Sequence, residues 1–268
     1  MTIATDKVFS GSVPGLYQSH LVPLIFEPYA EDLARRLSGR RVSTVLEIAA
    51  GTGVVTRALD RALPEDVAIV ATDLNPGMLE QAKALGTKRP VDWKQADAMS
   101  LPFDAGAFDA VVCQFGAMFF PDRPHAFSEA RRVLRPGGVF LFNVWDRIED
   151  NDFAHVIAQA LAELFPDDPP RFMARTPHGY HDTAAVKRDV TAGGFGDAQV
   201  ATVAARSVAP SAAEVAVAYC QGTPWRGEIE ARGSLEEATA ASTRALESRF
   251  GKGRVDGKIQ AHVVTASR

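Results

Sequence analysis

Two glycines one residue apart, Gly51 and Gly53, close the run Val45-Leu46-Glu47-Ile48-Ala49-Ala50-Gly51-Thr52-Gly53, an apolar strand pattern leading straight into a turn that opens a helix. Glycine there lets the backbone come close to a bound nucleoside and adopt dihedrals closed to other residues, although a plain tight turn uses the same pair. Glu47 weights the pattern toward a ligand, because a carboxylate inside an apolar strand end is costly to bury unless it accepts hydrogen bonds. A ligand, or donors from the ligand loop, would supply them. Asp73 ends Ala71-Thr72-Asp73, twenty residues beyond Gly53. It is placed to accept both ribose hydroxyls, or alternatively to cap a helix. Asp97 follows Trp93-Lys94-Gln95-Ala96 and precedes Ala98-Met99, where it either receives an adenine amino group or shapes a turn. Three acidic side chains at the carboxyl ends of three consecutive parallel strands mark the edge at which open α/β sheets bind ligands.

The elements that must position these residues follow from periodicity. Short β-branched runs predict strands over 43–49, 67–73, 91–95, 108–114 and 138–144, nearly all apolar inside, as parallel strands covered on both faces should be. Helical spacing lies between them over 53–63, 76–85 and 123–134, with Asn75-Pro76 reading as an N-cap followed by proline at the first helical position. Arg135-Pro136-Gly137-Gly138 is expected to stop the third helix and turn the chain into the next strand. A helix over 21–37, broken or kinked near Pro28, precedes this core. The second half reads as helices over 152–165, 183–192, 211–220 and 235–250, with strands over 198–208 and 258–266. Asp182 should cap the 183–192 helix and Gly193-Gly194 should end it.

The blocks VLEIAAGTG, ATDLNPGMLEQAK, QADAMSLPF, FDAVVCQFGAMFFPD and VLRPGGVFLF occur in that order. Across about Val42 to Val144, a little over a third of the chain, the sequence resembles the core of class I S-adenosylmethionine-dependent methyltransferases. The resemblance is to the methyltransferase type 11 group, which includes ubiquinone/menaquinone-biosynthesis-like enzymes. It implies an α/β fold: a Rossmann-like, seven-stranded, mostly parallel sheet with helices on both faces, its last strand antiparallel, and helical insertions in the second half. It further implies that Glu47, Gly51 and Gly53 lie along the methionine part of S-adenosylmethionine, that Asp73 holds the ribose and that Leu74 packs on adenine. Asp97 and Ala98 would meet the adenine edge, and Gln114 the methionine end. Ala49, Thr52, Met78 and Met99 complete the cofactor's surroundings. Tyr17, in Gly15-Leu16-Tyr17, is the candidate for an N-terminal aromatic over the cofactor, or else packs a helix on the core.

A nicotinamide-dependent oxidoreductase shares the fold and the ribose carboxylate. However, Thr56 stands where the dinucleotide fingerprint asks for glycine or alanine, and no Tyr-x-x-x-Lys pair occurs. A non-catalytic S-adenosylmethionine-binding protein is the remaining alternative. Asp168-Pro169-Pro170 is not the amino-methylase motif, because Cys113-Gln114-Phe115-Gly116 occupies that motif's place at the fourth strand and Arg171, not an aromatic, follows the prolines.

Twenty-nine basic against 33 acidic side chains leave no concentrated positive field for nucleic acid. Cys113 and Cys220 lack disulfide or zinc spacing, which points to a reducing, cytoplasmic setting. The start MTIATDKVFSGSVPG lacks a signal-peptide pattern, and no apolar run approaches the ~20 residues that span a bilayer. The expectation is one domain over 1–268: an N-terminal helical segment (1–40), a cofactor-binding core (41–146), and remaining strands with helical substrate-cover insertions (147–268). Its partner is a small-molecule acceptor, with neither nucleic acid nor membrane; a homodimer is compatible. In Thr176-Pro177-His178-Gly179-Tyr180-His181, His178 and Tyr180 are the candidates for substrate contact, the alternative being a surface loop with Tyr180 packed on the core. Gly179 and Pro177 argue against a metal pair on a helix, and no metal is expected. No catalytic base is assigned before the acceptor is known.

Overall fold

A computed structural model describes residues 13–268; residues 1–12, most of the stretch read above for targeting signals, lie outside the described residues. Strands β1 (Thr44–Ile48), β2 (Ala68–Asp73), β3 (Asp92–Gln95), β4 (Phe108–Gln114), β5 (Leu134–Trp145), β6 (Gln199–Ala209) and β7 (Val255–Ser267) form one sheet in the order β3-β2-β1-β4-β5-β7-β6. The first five are parallel to one another. Gly137 N–H donates to Arg268 O and Asp146 N–H to Gln260 O, so β7 runs antiparallel to β5. The side-chain pairs Arg206–Asp256 and Thr202–His262 set β6 antiparallel to β7. The α/β class and the seven strands are as expected.

The helices are α1 (Val13–Leu16), α2 (Glu27–Ser38), α3 (Val54–Ala62), α4 (Pro76–Leu85), α5 (Arg123–Val133), α6 (Asp152–Leu164), α7 (Phe172–Arg175), α8 (Thr183–Ala192), α9 (Ala212–Gln221), α10 (Trp225–Glu230) and α11 (Leu235–Phe250). Capping residues fix several starts: Asp122, Asp182, Ser211 and Ser234 each accept a backbone N–H of the first turn. Among the described residues no helix is long and apolar enough to cross a membrane.

The chain divides into two compact units, each assembled from separated stretches. A core unit comprises Glu27–Val144, Tyr180–Thr202 and His262–Arg268. Within it α2 packs on α3 and α5 on α8, and Phe127, Phe140, Phe142 and Phe195 stack into a buried aromatic cluster. β1 and β4 are buried almost throughout, as central parallel strands must be, whereas edge strand β3 exposes Asp92, Lys94 and Gln95, and the two charges among them discourage further pairing. The helical unit runs through Phe26 and comprises Trp145–Gly179 and Val203–Ala261. There α11 packs on both α6 and α9, and Ser207 Oγ donates to Leu24 O.

Two local expectations need correction. The 21–37 helix is instead a π-type stretch, Tyr17–Phe26, followed by α2, and the change falls at Glu27. Pro28 lies one residue past that change, within an unbroken helical run, so like Pro23 it removes a backbone donor where the helical bonding pattern changes. Arg135-Pro136-Gly137-Gly138 is part of β5 rather than a turn before it. Leu134 pairs with Phe108 and Val139 with Ala110, so the run bulges out of the β4 ladder, helped by Gly137 at φ +80° and by its bond to Arg268.

Candidate functional site

The carboxyl end of β1 turns through three left-handed residues, Ala49 (φ 54°), Gly51 (56°) and Gly53 (79°). Alanine in that conformation costs on the order of 1–3 kcal/mol and is held only where the surroundings fix it. The two glycines serve different ends. A side chain on Gly53 would stand 2.9 Å from Trp93 and 3.2 Å from Ala82, so that glycine admits the packing of β3 and α4. A side chain on Gly51 would meet no atom within 4 Å: this glycine borders open space. Between them Thr52 is fully buried, and its Oγ1 has no hydrogen-bond partner among the described residues.

Glu47 is sealed in the sheet and accepts a 2.5 Å bond from Thr56 Oγ1 on α3. Burial pushes its carboxyl up to about 8, against the opposing pull of Thr56 and the Arg57 guanidinium. Its donor thus comes from the helix behind the turn, not from the ligand loop. Thr56 has a structural task of its own, as partner to that acid. Asp73, ending β2, receives Gly51 N–H on Oδ2 and Asn75 N–H on Oδ1, both at 2.8 Å. Burial raises its pKa, with those two amides pulling the other way. Asn75 begins α4 as N-cap but makes no side-chain cap bond; Asp73 satisfies its N–H instead. Leu74 beside it is 45% exposed, an uncommon state for leucine in this chain, while Met78 of α4 is buried. Asp97 is exposed and accepts Met99 N–H at 2.9 Å, closing a turn in which Ala98 and Met99 are half-buried.

Register places four polar side chains on one sheet face. Glu47 pairs with Ala71 of β2 and Val112 of β4, and Gln114 pairs with Asn143 of β5. In-register neighbours and residues two apart share a face, so Asp73, Glu47, Gln114 and Asn143 form a row along the carboxyl edge. Beyond Gln114 the chain is strained again: Phe115 has φ 50°. A side chain on Gly116 would stand 2.5 Å from Ala49 Cβ, so glycine there brings the β4 loop against the β1 turn. Phe115 N–H donates to Asn143 Oδ1 at 2.9 Å, and more weakly to Asn143 O. Asn143 is wholly buried and its Nδ2 has no partner among the described residues. Leaving such a donor unpaired costs about 1–3 kcal/mol. Neither Asn143 nor Phe115 stands out by motif. The available signal was Asn143 as the one polar residue in Val139-Phe140-Leu141-Phe142-Asn143-Val144-Trp145, the kind of interruption that marks Glu47.

The pattern that defines the methyltransferase domain as a family matches residues 46–142, the stretch that holds this row up to β5. Residues 46–142 thus match a methyltransferase domain. The ubiquinone/menaquinone biosynthesis C-methyltransferase of Escherichia coli is 37% identical over 106 residues, covering 38% of this chain and 42% of that protein. The chain thus matches less than half the length of the curated relative. The phosphoethanolamine N-methyltransferase 2 of Haemonchus contortus aligns over 100% of this chain and 61% of its own, at 15% identity and a TM-score of 0.62. The YcgJ protein of Bacillus subtilis aligns over 90% and 98%, at 17% identity and a TM-score of 0.58. At these identities both share the fold.

The other sequence-selected residues fall as follows. Tyr180 belongs to the core unit that holds the methyltransferase core; its ring lies under the Arg123 guanidinium at 4.0 Å and its hydroxyl donates to Asp189 of α8. These contacts tie α8 to the start of α5. Tyr17 and His178 belong to the helical unit. Tyr17 stacks on Phe26 with centroids 5.0 Å apart. His178 is buried, its Nδ1 2.7 Å from Asp146 O, beside the Trp145 ring.

Proposed function

We propose that this chain binds S-adenosylmethionine and transfers its methyl group to a small-molecule acceptor by in-line displacement. The observation that carries the reading is the Asp73–Gly51 pair. It ties the end of β2 to the glycine turn of β1 inside the matched methyltransferase core, so the ribose-holding acid and the turn along the methionine form one rigid piece. Each Asp73 oxygen has a further lone pair to offer the ribose hydroxyls. Three further features fit an adenosyl group: open space at Gly51, the buried, unpartnered Thr52 hydroxyl, and the exposed Leu74 face beside Asp73. Glu47, Gln114, Ala49 and Gly53 shape the methionine side; Met78, Asp97, Ala98 and Met99 shape the adenine side. When bound, S-adenosylmethionine supplies an electrophilic methyl on a sulfonium. The residues of this chain hold the acceptor atom in line with the sulfur–methyl bond and keep water out.

The small-molecule class of acceptor rests on relatives named for quinone-biosynthetic C-methylation and phosphoethanolamine N-methylation. A cytoplasmic setting is supported by two free, buried cysteines. The test is calorimetry with S-adenosylmethionine, S-adenosylhomocysteine and NAD. Both adenosyl ligands should bind and NAD should not; NAD binding without an adenosyl response overturns the assignment. Incubation with methyl-labelled cofactor and a metabolite extract then identifies the acceptor. Cofactor binding with no labelled product would reduce the reading to a binding protein.

A further inference from the structure

The polar row along the carboxyl edge follows the length of a ligand. On the methyltransferase reading, adenine lies at β3, ribose at Asp73 on β2, and methionine at β1 with its far end at Gln114 on β4. Asn143 lies one strand further on, paired in register with Gln114 and on the same face. The cofactor has no part left to place there, and the next chemical group along the edge belongs to the methyl acceptor.

Asn143 also presents a defined group. Its Oδ1 receives Phe115 N–H, a pure donor, so flipping the amide would set two donors against each other. Nδ2 therefore points away from that bond, buried and without a partner among the described residues. An amide N–H can only donate: it suits an oxygen lone pair and repels an ammonium. We infer that Asn143 is an acceptor-binding residue whose Nδ2 donates to a carbonyl, phenolate or carboxylate oxygen of the molecule that receives the methyl group. The inference rests on the methyltransferase reading for the direction of the row. The bond to Phe115 adds a second consequence: the same side chain that meets the acceptor holds the strained loop against the β1 turn, so acceptor position and cofactor turn are registered to one residue.

The test uses the full chain and nuclear magnetic resonance of its side-chain amides. The Asn143 NH2 pair is identified as the one missing from the Asn143→Asp spectrum; that variant keeps an oxygen for Phe115 N–H and removes the donor. S-adenosylhomocysteine is added first, then separately 4-nitrophenolate, benzoate, acetophenone and, as a cationic control, benzylamine. At least one oxygen probe should move the Asn143 pair downfield while benzylamine leaves it in place. Its affinity should fall about tenfold in Asn143→Asp, with S-adenosylhomocysteine affinity within about twofold of the parent. Two results overturn the inference. In one, S-adenosylhomocysteine alone moves the pair and binds about tenfold more weakly to Asn143→Asp, which gives the donor to the cofactor. In the other, none of the oxygen probes moves it, which leaves Asn143 a loop-holding residue. The shifts are read on the unaltered chain, so a poorly folding variant, for which Asn143→Ser substitutes, does not blunt them. Failure of the methyltransferase reading is seen earlier, as no response to S-adenosylhomocysteine at all.

Discussion

Glu47 accepts one hydrogen bond, from Thr56, and burial raises its pKa from 4.5 to about 8. In the unfolded chain it ionises near 4.5, while the folded chain keeps its proton until about pH 8. The folded state therefore binds more protons across this window, and stability falls as pH rises through it, levelling off above. Glu47→Gln keeps an oxygen for Thr56 and cannot ionise. Relative to it, the parent should lose about 1.4 kcal/mol of stability per pH unit between roughly pH 5.5 and 7.5. Urea unfolding of both proteins at the two ends measures the slope, and parallel pH profiles would show Glu47 ionised throughout. Asp73→Ala should weaken S-adenosylhomocysteine binding at least about tenfold in calorimetry, because a charged acceptor is lost from the ribose and Gly51 is freed from its tether. Far-UV circular dichroism should be unchanged; full affinity would make Asp73 a helix cap and no more. Glu47, Gly51 and Asp73 were legible because a polar or glycine residue interrupts an apolar run beside a motif. Asn143 breaks its run equally, but its partner is Phe115, 28 positions away, and nothing in the spacing announces that bond.

At the next scale up, α3 must end where the chain leaves for β2, and a single arginine closes it. Arg89 pairs with Asp60 at 2.9 Å and donates to the carbonyls of Asp60, Leu63, Pro64 and Val67, with its guanidinium nearly enclosed. Arg89→Ala strips those carbonyls and leaves the Asp60 charge buried, which should cost about 3–5 kcal/mol in urea unfolding. A loss below about 1 kcal/mol would mean that water reaches the pair. Long elements are legible in the sequence to within a few residues: α4, α8 and α11 have the predicted ends, because proline, aspartate and serine caps and terminal glycines are local signals. Helices α7 and α10, four and six residues long, are too short for any periodicity to show. The bulge in β5 escapes for a different reason. Arg-Pro-Gly-Gly is turn chemistry, and what holds it in the sheet is Arg268, far away in the sequence.

The path of the whole chain carries a further prediction. The core unit takes its residues from three stretches, so a contiguous cut such as 41–146 omits α2, α8 and the end of β7. It would bare the faces of Phe127 and Phe140 that meet Gly193 and Phe195, and the ring of Phe115 that Tyr29 covers edge-on. That fragment, although it spans the matched methyltransferase region, should show no cooperative thermal transition; a sharp one would make the later stretches dispensable. The same winding bears on birth at the ribosome. β1 to β5 emerge early, yet β7, whose neighbour Arg268 pairs with the β5 bulge, is made only after roughly another hundred residues. At roughly 5–20 residues per second, the nascent sheet waits on the order of ten seconds with its fifth strand unpartnered on one side. Chaperone dependence during synthesis is then a property of how far beyond β5 its partner strand is encoded, and shortening that interval should relieve it.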